Sequence, residues 1–203
     1  MKRLLLCLIV LTFLLAACQA PTEAPGPDYT PPPNQGDETS GEAIDATTEE
    51  DVPRLVFTAY DLDFNEIDQD LFAAADLTLL NIWGTYCPSC IRELPYFGQL
   101  AIDYAAYGLQ IVGVVVDMRD PAGNYQPEQI ELVKEILAHA GADYLQLMPS
   151  DDLINHLLVA ISAVPTTLFL NSDGQLIGEV IVGARSQAAW TEIVNYHLNL
   201  VRE

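Results

Sequence analysis

Two cysteines separated by two residues, Cys87 and Cys90, are the side chains of this sequence best suited to chemistry. They stand where an apolar run ending at Trp83 gives way to a segment with helical spacing that begins at Pro88. A thiol at a helix N-terminus faces unpaired backbone N–H groups and the positive end of the helix dipole, which favour its thiolate. Because the thiolate is the form that attacks a disulfide, this placement predicts thiol–disulfide exchange.

Three other interpretations of the cysteine pair stay open at this point. Two cysteines at this spacing could form half of a zinc site, but a structural zinc needs two more ligands, and the three histidines lack ligand spacing. The pair could be a static disulfide in an oxidising compartment, although a bridge across two residues would hold little of the fold together. The third interpretation is a peroxidatic or copper-carrying thiol.

The elements that must position the pair follow from hydrophobic periodicity. Strands are predicted over residues 55–60, 77–83, 109–116, 144–148, 166–170 and 176–182. Helices are predicted over 88–107, 127–140, 151–160 and 186–201, with a short helix or turn at 71–75. Because strands alternate with helices, we expect a mostly parallel α/β sheet, and Asp173-Gly174 predicts an antiparallel hairpin near its end.

The N-terminus has the pattern of a lipoprotein signal. Lys2 and Arg3 precede an apolar run too short to span a membrane well, and the run ends Ala16-Ala17-Cys18. This ending resembles the bacterial lipobox, in which the cysteine receives the lipid. We therefore expect a signal peptide over residues 1–17 and a protein anchored through Cys18 to the extracytoplasmic face of a bacterial membrane.

Residues 18–52 are expected to form a disordered tether between this anchor and a folded domain over residues 53–203. The stretch 19–52 contains six prolines and nine acidic residues but no Lys or Arg, so it cannot bury enough apolar surface to fold. The formal net charge of the whole chain is −21. Nucleic-acid partners are excluded, because binding phosphate requires a basic face.

Residues 53–203 resemble the membrane-tethered TlpA/ResA-like thiol–disulfide oxidoreductases. Trp83 stands four residues before the first cysteine, as the tryptophan of that family does, and Pro95 stands five residues after the second. The sequence Val164-Pro165-Thr166 matches the family's cis-proline loop, which faces the cysteines. The resemblance implies an α/β protein of thioredoxin-like fold, with a central mixed β-sheet flanked by helices.

The resemblance also implies a mechanism and a set of partners. Cys87 would attack a disulfide of an exported protein and Cys90 would resolve the mixed disulfide, while Trp83, Tyr86 and the Val164–Thr166 loop contact the substrate. Apo-cytochrome c and methionine sulfoxide reductases are the partner classes it suggests, with a membrane electron donor that reduces the pair again. No metal or organic cofactor is implied, and we expect a monomer.

Glu93 is the candidate proton acceptor. It lies three residues after Cys90, so on a helix the two side chains share a face, and the resemblance places a functional glutamate there. The alternative is a solvated glutamate of the first helical turn. Trp190 is predicted to be packing core of the last helix. For the whole domain, a thiol oxidase or peroxidase and a non-catalytic binding module with a structural disulfide remain alternative functions.

Overall fold

A computed structural model describes residues 53–203 of the chain. The predicted signal peptide, the lipidation site Cys18 and the predicted tether lie outside the described residues. Seven strands run β1 (Thr58–Asp61), β2 (Glu66–Asp68), β3 (Leu77–Trp83), β4 (Leu109–Val115), β5 (Leu145–Met148), β6 (Thr166–Asn171) and β7 (Ile181–Val182) within that range. The α-helices are α1 (Pro88–Tyr104), α2 (Pro127–Ala140), α3 (Asp151–His156) and α4 (Gln187–Leu200).

These strands form one sheet in the order β2-β1-β5-β4-β3-β6-β7. Strand β4 runs parallel to both β3 and β5, and the other neighbouring pairs are antiparallel. The mixed sheet flanked by helices is confirmed, whereas the mostly parallel sheet was wrong. Helix α1 connects β3 to β4 and helix α2 connects β4 to β5, which makes these two pairs parallel. Strand β6 lies beside β3 and runs in the opposite direction.

Strand β3 is the centre of the sheet, and every one of its residues is buried. Alternate side chains point to opposite faces. Leu80 and Ile82 pack into a core with α3, while Leu77, Leu79 and Trp83 pack under the other helices. That second face, which carries α1, α2 and α4, is called the helix face below. It includes the segment that holds the cysteines.

Local signals mark the helix ends where the prediction holds, but α1 and α3 stop at Tyr104 and His156, short of the predicted ends at 107 and 160, and 3-10 turns follow them. Ser150 caps α3 by accepting a hydrogen bond from the Leu153 N–H, and Gly141 ends α2 with a left-handed backbone at φ 62°. The strand predicted to begin at residue 55 begins at Thr58, and the one predicted over 176–182 is regular only at its end. Strand β2 was not predicted, because three residues carry too little periodicity. No helix within residues 53–203 is long and apolar enough to cross a membrane.

Candidate active site

Cys87 and Cys90 are joined by a disulfide at the start of α1, directly after the central strand. Cys87 is the N-cap of the helix, and its Sγ accepts a hydrogen bond from the backbone N–H of Cys90 at 3.2 Å. Pro88 occupies the first turn, where a missing N–H leaves no intrahelical bond unmade. Cys87 is 6 % exposed and Cys90 is 0 % exposed. An incoming disulfide can therefore reach the sulfur of Cys87 first.

The surroundings of the Cys87 sulfur would hold a thiolate. The Ser89 hydroxyl lies 3.3 Å from this sulfur and can donate to it, in addition to the Cys90 N–H. Both groups act at the positive end of the helix dipole. Hydrogen bonds to a charged acceptor are stronger than those to a neutral one, so both donors favour ionisation of the reduced thiol.

Replacing Ser89 with alanine should raise the pKa of the Cys87 thiol in the reduced protein. One lost hydrogen bond to a thiolate is worth about 1.5 kcal/mol, which corresponds to about one pKa unit. Titration of the ultraviolet absorbance of the thiolate against pH measures the change in pKa. The control is Ser186→Ala, which removes a capping hydroxyl from α4. An unchanged titration would show that the Ser89 hydroxyl does not reach the thiolate.

The loop before Cys87 is fixed by a network that the sequence did not reveal. The carboxylate of Asp117, which lies two residues after β4, accepts from the backbone N–H of Thr85 at 3.1 Å and from the Thr85 hydroxyl at 2.5 Å. The side-chain amide of Gln129 donates to both Thr85 Oγ1 and Asp117 Oδ2. Three segments far apart in sequence thus hold the backbone two residues before the reactive sulfur. No local pattern signals such a contact.

The Val164–Pro165 peptide bond is cis, and this loop lies against the cysteines as the resemblance implies. The carbonyl oxygen of Val164 lies 3.7 Å from Cys87 Sγ. Thr166 is buried, and its hydroxyl donates to the Ala163 carbonyl at 2.7 Å, which braces the loop internally. Pro165 accepts a hydrogen bond from the N–H of Gly183. The loop is thus held by internal hydrogen bonds, with the Val164 carbonyl directed at the sulfur of Cys87.

The two predicted aromatic contacts have opposite surroundings. Tyr86 is 66 % exposed beside the cysteines, where a partner can touch it. Trp83 is completely buried, and its indole N–H donates to Gln146 Oε1 at 3.0 Å. We predicted that Trp83 contacts the substrate, but a residue this deeply buried cannot touch one. Helices α1 and α2 cover the helix face on which Trp83 lies. Trp83 instead supports the cysteine segment from beneath.

A groove of about 340 Å³ adjoins the reactive sulfur. Its lining includes Tyr86, the residue before Cys87, and Val164, whose carbonyl oxygen is close to Cys87 Sγ. The remaining lining is mainly apolar and comes from the end of β4 and the segment around α3: Val116, Ile154, Leu158, Ile161, Ser162 and Ala163. Its position and character suit an apolar side chain of an extended polypeptide.

Glu93 is only 1 % exposed, so it is not the solvated glutamate of the alternative interpretation. Its Oε1 accepts from the backbone N–H of Arg185 at 2.5 Å and from the indole N–H of Trp190 at 2.6 Å. Trp190 is buried core as predicted, but it is also a partner of this carboxylate. Burial raises the pKa of Glu93 above its ordinary value, against the opposing effect of these hydrogen bonds. A carboxylate with a raised pKa is a stronger base than an ordinary glutamate, which suits it to take up a proton.

The AhpC/TSA family matches residues 49–177 of the chain. The thiol-disulfide oxidoreductase ResA of Bacillus thuringiensis subsp. konkukian (strain 97-27) is 26 % identical over 130 residues, which are 64 % of this chain and 67 % of that protein. ResA of Bacillus subtilis (strain 168) is 25 % identical over 123 residues, covering 61 % of this chain and 60 % of that one.

Solved structures agree with the observed fold. A thiol:disulfide interchange protein of the thioredoxin family from Chlorobium tepidum TLS superposes with a TM-score of 0.59 at 26 % identity, over 72 % of this chain and 96 % of its own. StoA from Bacillus subtilis superposes with a TM-score of 0.52 at 17 % identity, over 70 % of this chain and 98 % of its own, which supports the fold alone.

Proposed function

The chain belongs to the AhpC/TSA family and is a thioredoxin-like thiol–disulfide oxidoreductase, and we propose that it reduces disulfides of exported partner proteins. The observation that carries this proposal is the asymmetry of the pair. Cys87 caps the helix, receives two donors and is the more exposed sulfur, whereas Cys90 is enclosed. Such an arrangement separates an attacking thiol from a resolving thiol.

The reaction proceeds in two exchanges. The Cys87 thiolate attacks one sulfur of a partner disulfide, which forms a mixed disulfide and releases the other partner sulfur as a thiolate. Cys90 then loses its proton and attacks Cys87 Sγ, so that the Cys87–Cys90 bond forms and the second partner thiolate leaves. The partner gains two electrons, and the enzyme pair loses them.

Glu93 takes the proton that Cys90 loses. It lies one helical turn beyond Cys90 on the same face of α1, and its Oε2 is buried without a hydrogen-bond partner among the described residues. The other carboxylate oxygen is held by Arg185 and Trp190, which fixes the orientation of the group. Glu93 is thus oriented for proton uptake by contacts from distant parts of the chain.

The partner lies across the Val164–Thr166 loop as an extended segment. Its disulfide reaches Cys87 beside the Val164 carbonyl, and a neighbouring apolar side chain enters the groove between Tyr86 and Val164. Apo-cytochrome c and methionine sulfoxide reductases are the partner classes we propose, and a membrane electron donor returns the pair to its dithiol state. The enzyme is proposed to act as a monomer.

The direction of the reaction is tested by the resting state of the pair in the cell. A reductase with an active donor should hold Cys87 and Cys90 mostly as thiols, and loss of the donor should oxidise them. Acid quenching followed by alkylation with a mass-tagged maleimide measures the fraction reduced. A pair that stays oxidised while its donor is present would identify an oxidase instead.

Attachment to the membrane is a separate proposal, and it places the domain on the extracytoplasmic face through Cys18. The short apolar segment that ends in Ala16-Ala17-Cys18 supports it. We expect Cys18→Ser to abolish acylation and to leave the precursor unprocessed, while Cys7→Ser leaves both unchanged. Mass spectrometry of the mature N-terminus measures both the cleavage and the acylation. A wild-type protein without acyl chains would contradict the proposal.

A further inference from the structure

Polar positions form a row across the helix face of the sheet, beneath α1. Asn81 of β3 is paired in register with Gly113 of β4, and Gly113 is paired with Gln146 of β5. Side chains at paired positions point to the same face. Gly113 has none, and a Cβ there would stand 1.9 Å from Gln146 Oε1, so the amide of Gln146 lies over the glycine. Asn81 and Gln146 are both buried.

Several polar atoms near this row have no hydrogen-bond partner among residues 53–203. They are both side-chain amide atoms of Asn81, the hydroxyl of Tyr144 and Oε2 of Glu93, and all are buried. A buried polar group without a partner is destabilising, so several together are not explained by packing. Polar groups of this kind are commonly bridged by internal water.

These groups belong to one neighbourhood. The Tyr144 hydroxyl lies beside the amides of Gln146 and Asn81, without hydrogen-bonding geometry to either, and near enough to Glu93 to feel its charge. The Tyr144 ring packs both against the core around the cysteines and against the core around Trp190. Burial raises the pKa of Tyr144, so its hydroxyl stays protonated and can donate and accept at once.

On the side of β5, the row ends at residues that line an open cleft. Tyr144 and Gln146 line a cleft of about 790 Å³ between the end of α2 and the turn after β1, and its charged lining residues are Asp61, Asp63, Lys134 and Asp143. Neither cysteine lines this cleft. The cleft is therefore separate from the sulfur that a partner would approach.

We propose that Glu93 exchanges its proton with solvent through this row, by way of internal water held by Asn81 and Tyr144. The inference rests on the proposed role of Glu93. Glu93 must be deprotonated before it can take the proton of Cys90, so a protonated Glu93 has to lose its proton to solvent before each resolution step. Oε1 is occupied by Arg185 and Trp190, which leaves Oε2 for the transfer. The charged side chains that act on Glu93 are Arg185 and Arg92, and neither lines the cleft.

Stopped-flow exchange with a chromogenic aromatic disulfide tests this route in the full-length reduced protein. The first coloured thiolate released reports attack by Cys87, and the second reports resolution by Cys90. We expect Tyr144→Phe to slow the second release on the order of tenfold, to increase its solvent isotope effect and to shift its pH profile, with the first release unchanged. Asn81→Leu, a second variant, should do the same.

Tyr104→Phe, which removes a hydroxyl elsewhere on α1, is the matched control and should leave both releases unchanged. If Glu93→Gln slows the second release but Tyr144→Phe and Asn81→Leu do not, the route is overturned and the role of Glu93 stands. If Glu93→Gln has no effect, the proton step of the proposed function fails, and the route fails with it. Equal slowing by Tyr104→Phe would also overturn the route, because the effect would then be general.

Discussion

Replacing Cys90 with alanine should turn the enzyme into a trap that retains its partners as mixed disulfides on Cys87. The more exposed Cys87 can still attack, but the enclosed second thiol that would release the partner is gone. Turnover with a protein disulfide should fall by about a thousandfold or more, because both cysteines act as one unit. Non-reducing gels of cells that express the variant, followed by mass spectrometry of the adducts, measure the capture and identify the partners.

Cys87→Ala is the matched variant, since it loses turnover to the same extent but has no accessible attacking thiol. It should capture far fewer partners than Cys90→Ala does. A purely structural bridge would give no adducts with either variant. Absence of adducts with Cys90→Ala, together with an oxidised resting pair in the presence of the donor, would end the reductase proposal. Adducts mainly on Cys87→Ala would reverse the assignment of the two thiols.

Replacing Glu93 with glutamine should slow the resolution step on the order of a hundredfold, the usual range for a lost acid–base group. Glutamine can still accept from the Arg185 N–H and the Trp190 indole, so the fold should persist. The pH profile of the second exchange should lose the ionisation of Glu93, whereas alkylation of Cys87 should change little. Glu128→Gln, at an exposed position of the first turn of α2, is the control.

Glu93→Gln should also change the pH dependence of the free energy of unfolding. Burial raises the pKa of Glu93 above its ordinary value of 4.5, so between 4.5 and the raised pKa the folded state binds more protons than the unfolded state. The contribution of Glu93 to stability is then fully present below 4.5 and is lost as pH rises through the raised pKa. Glu93→Gln should remove this loss, which denaturant unfolding at a series of pH values detects. An identical pH dependence in wild type and variant would contradict the raised pKa.

Trp190→Phe tests the hydrogen bond between the Trp190 indole and the Glu93 carboxylate. It removes the indole donor to Oε1 but keeps Glu93, so the pKa of Glu93 should rise further. The resolution step should then need a higher pH, with a smaller loss of maximum rate than Glu93→Gln shows. A pH profile identical to that of the wild type would show that the Trp190 hydrogen bond does not tune this acid.

Local signals in the sequence determined the elements and the reactive pair. The cap at Cys87, the proline after it and the left-handed Gly141 each act within one helical turn, so their residue types suffice to place the helix ends. The nearly continuous apolar run of β3 likewise predicted a strand covered on both faces, because a central strand between two layers buries both of its faces. The spacing of Glu93 from Cys90 was enough to suggest a shared helix face.

Only the tertiary structure decided what surrounds the pair. The hydrogen bonds from Arg185 and Trp190 to Glu93 join residues more than ninety positions apart, and the buried indole of Trp83 donates to the distant Gln146. The row from Asn81 to Gln146 exists because the order of strands places β3, β4 and β5 side by side in one register. Hydrophobic periodicity states which face of an element is buried, but not which element covers it. Strand order and the partners of buried polar groups follow from packing of the whole chain, and they convert a reactive motif into a site with an oriented acid.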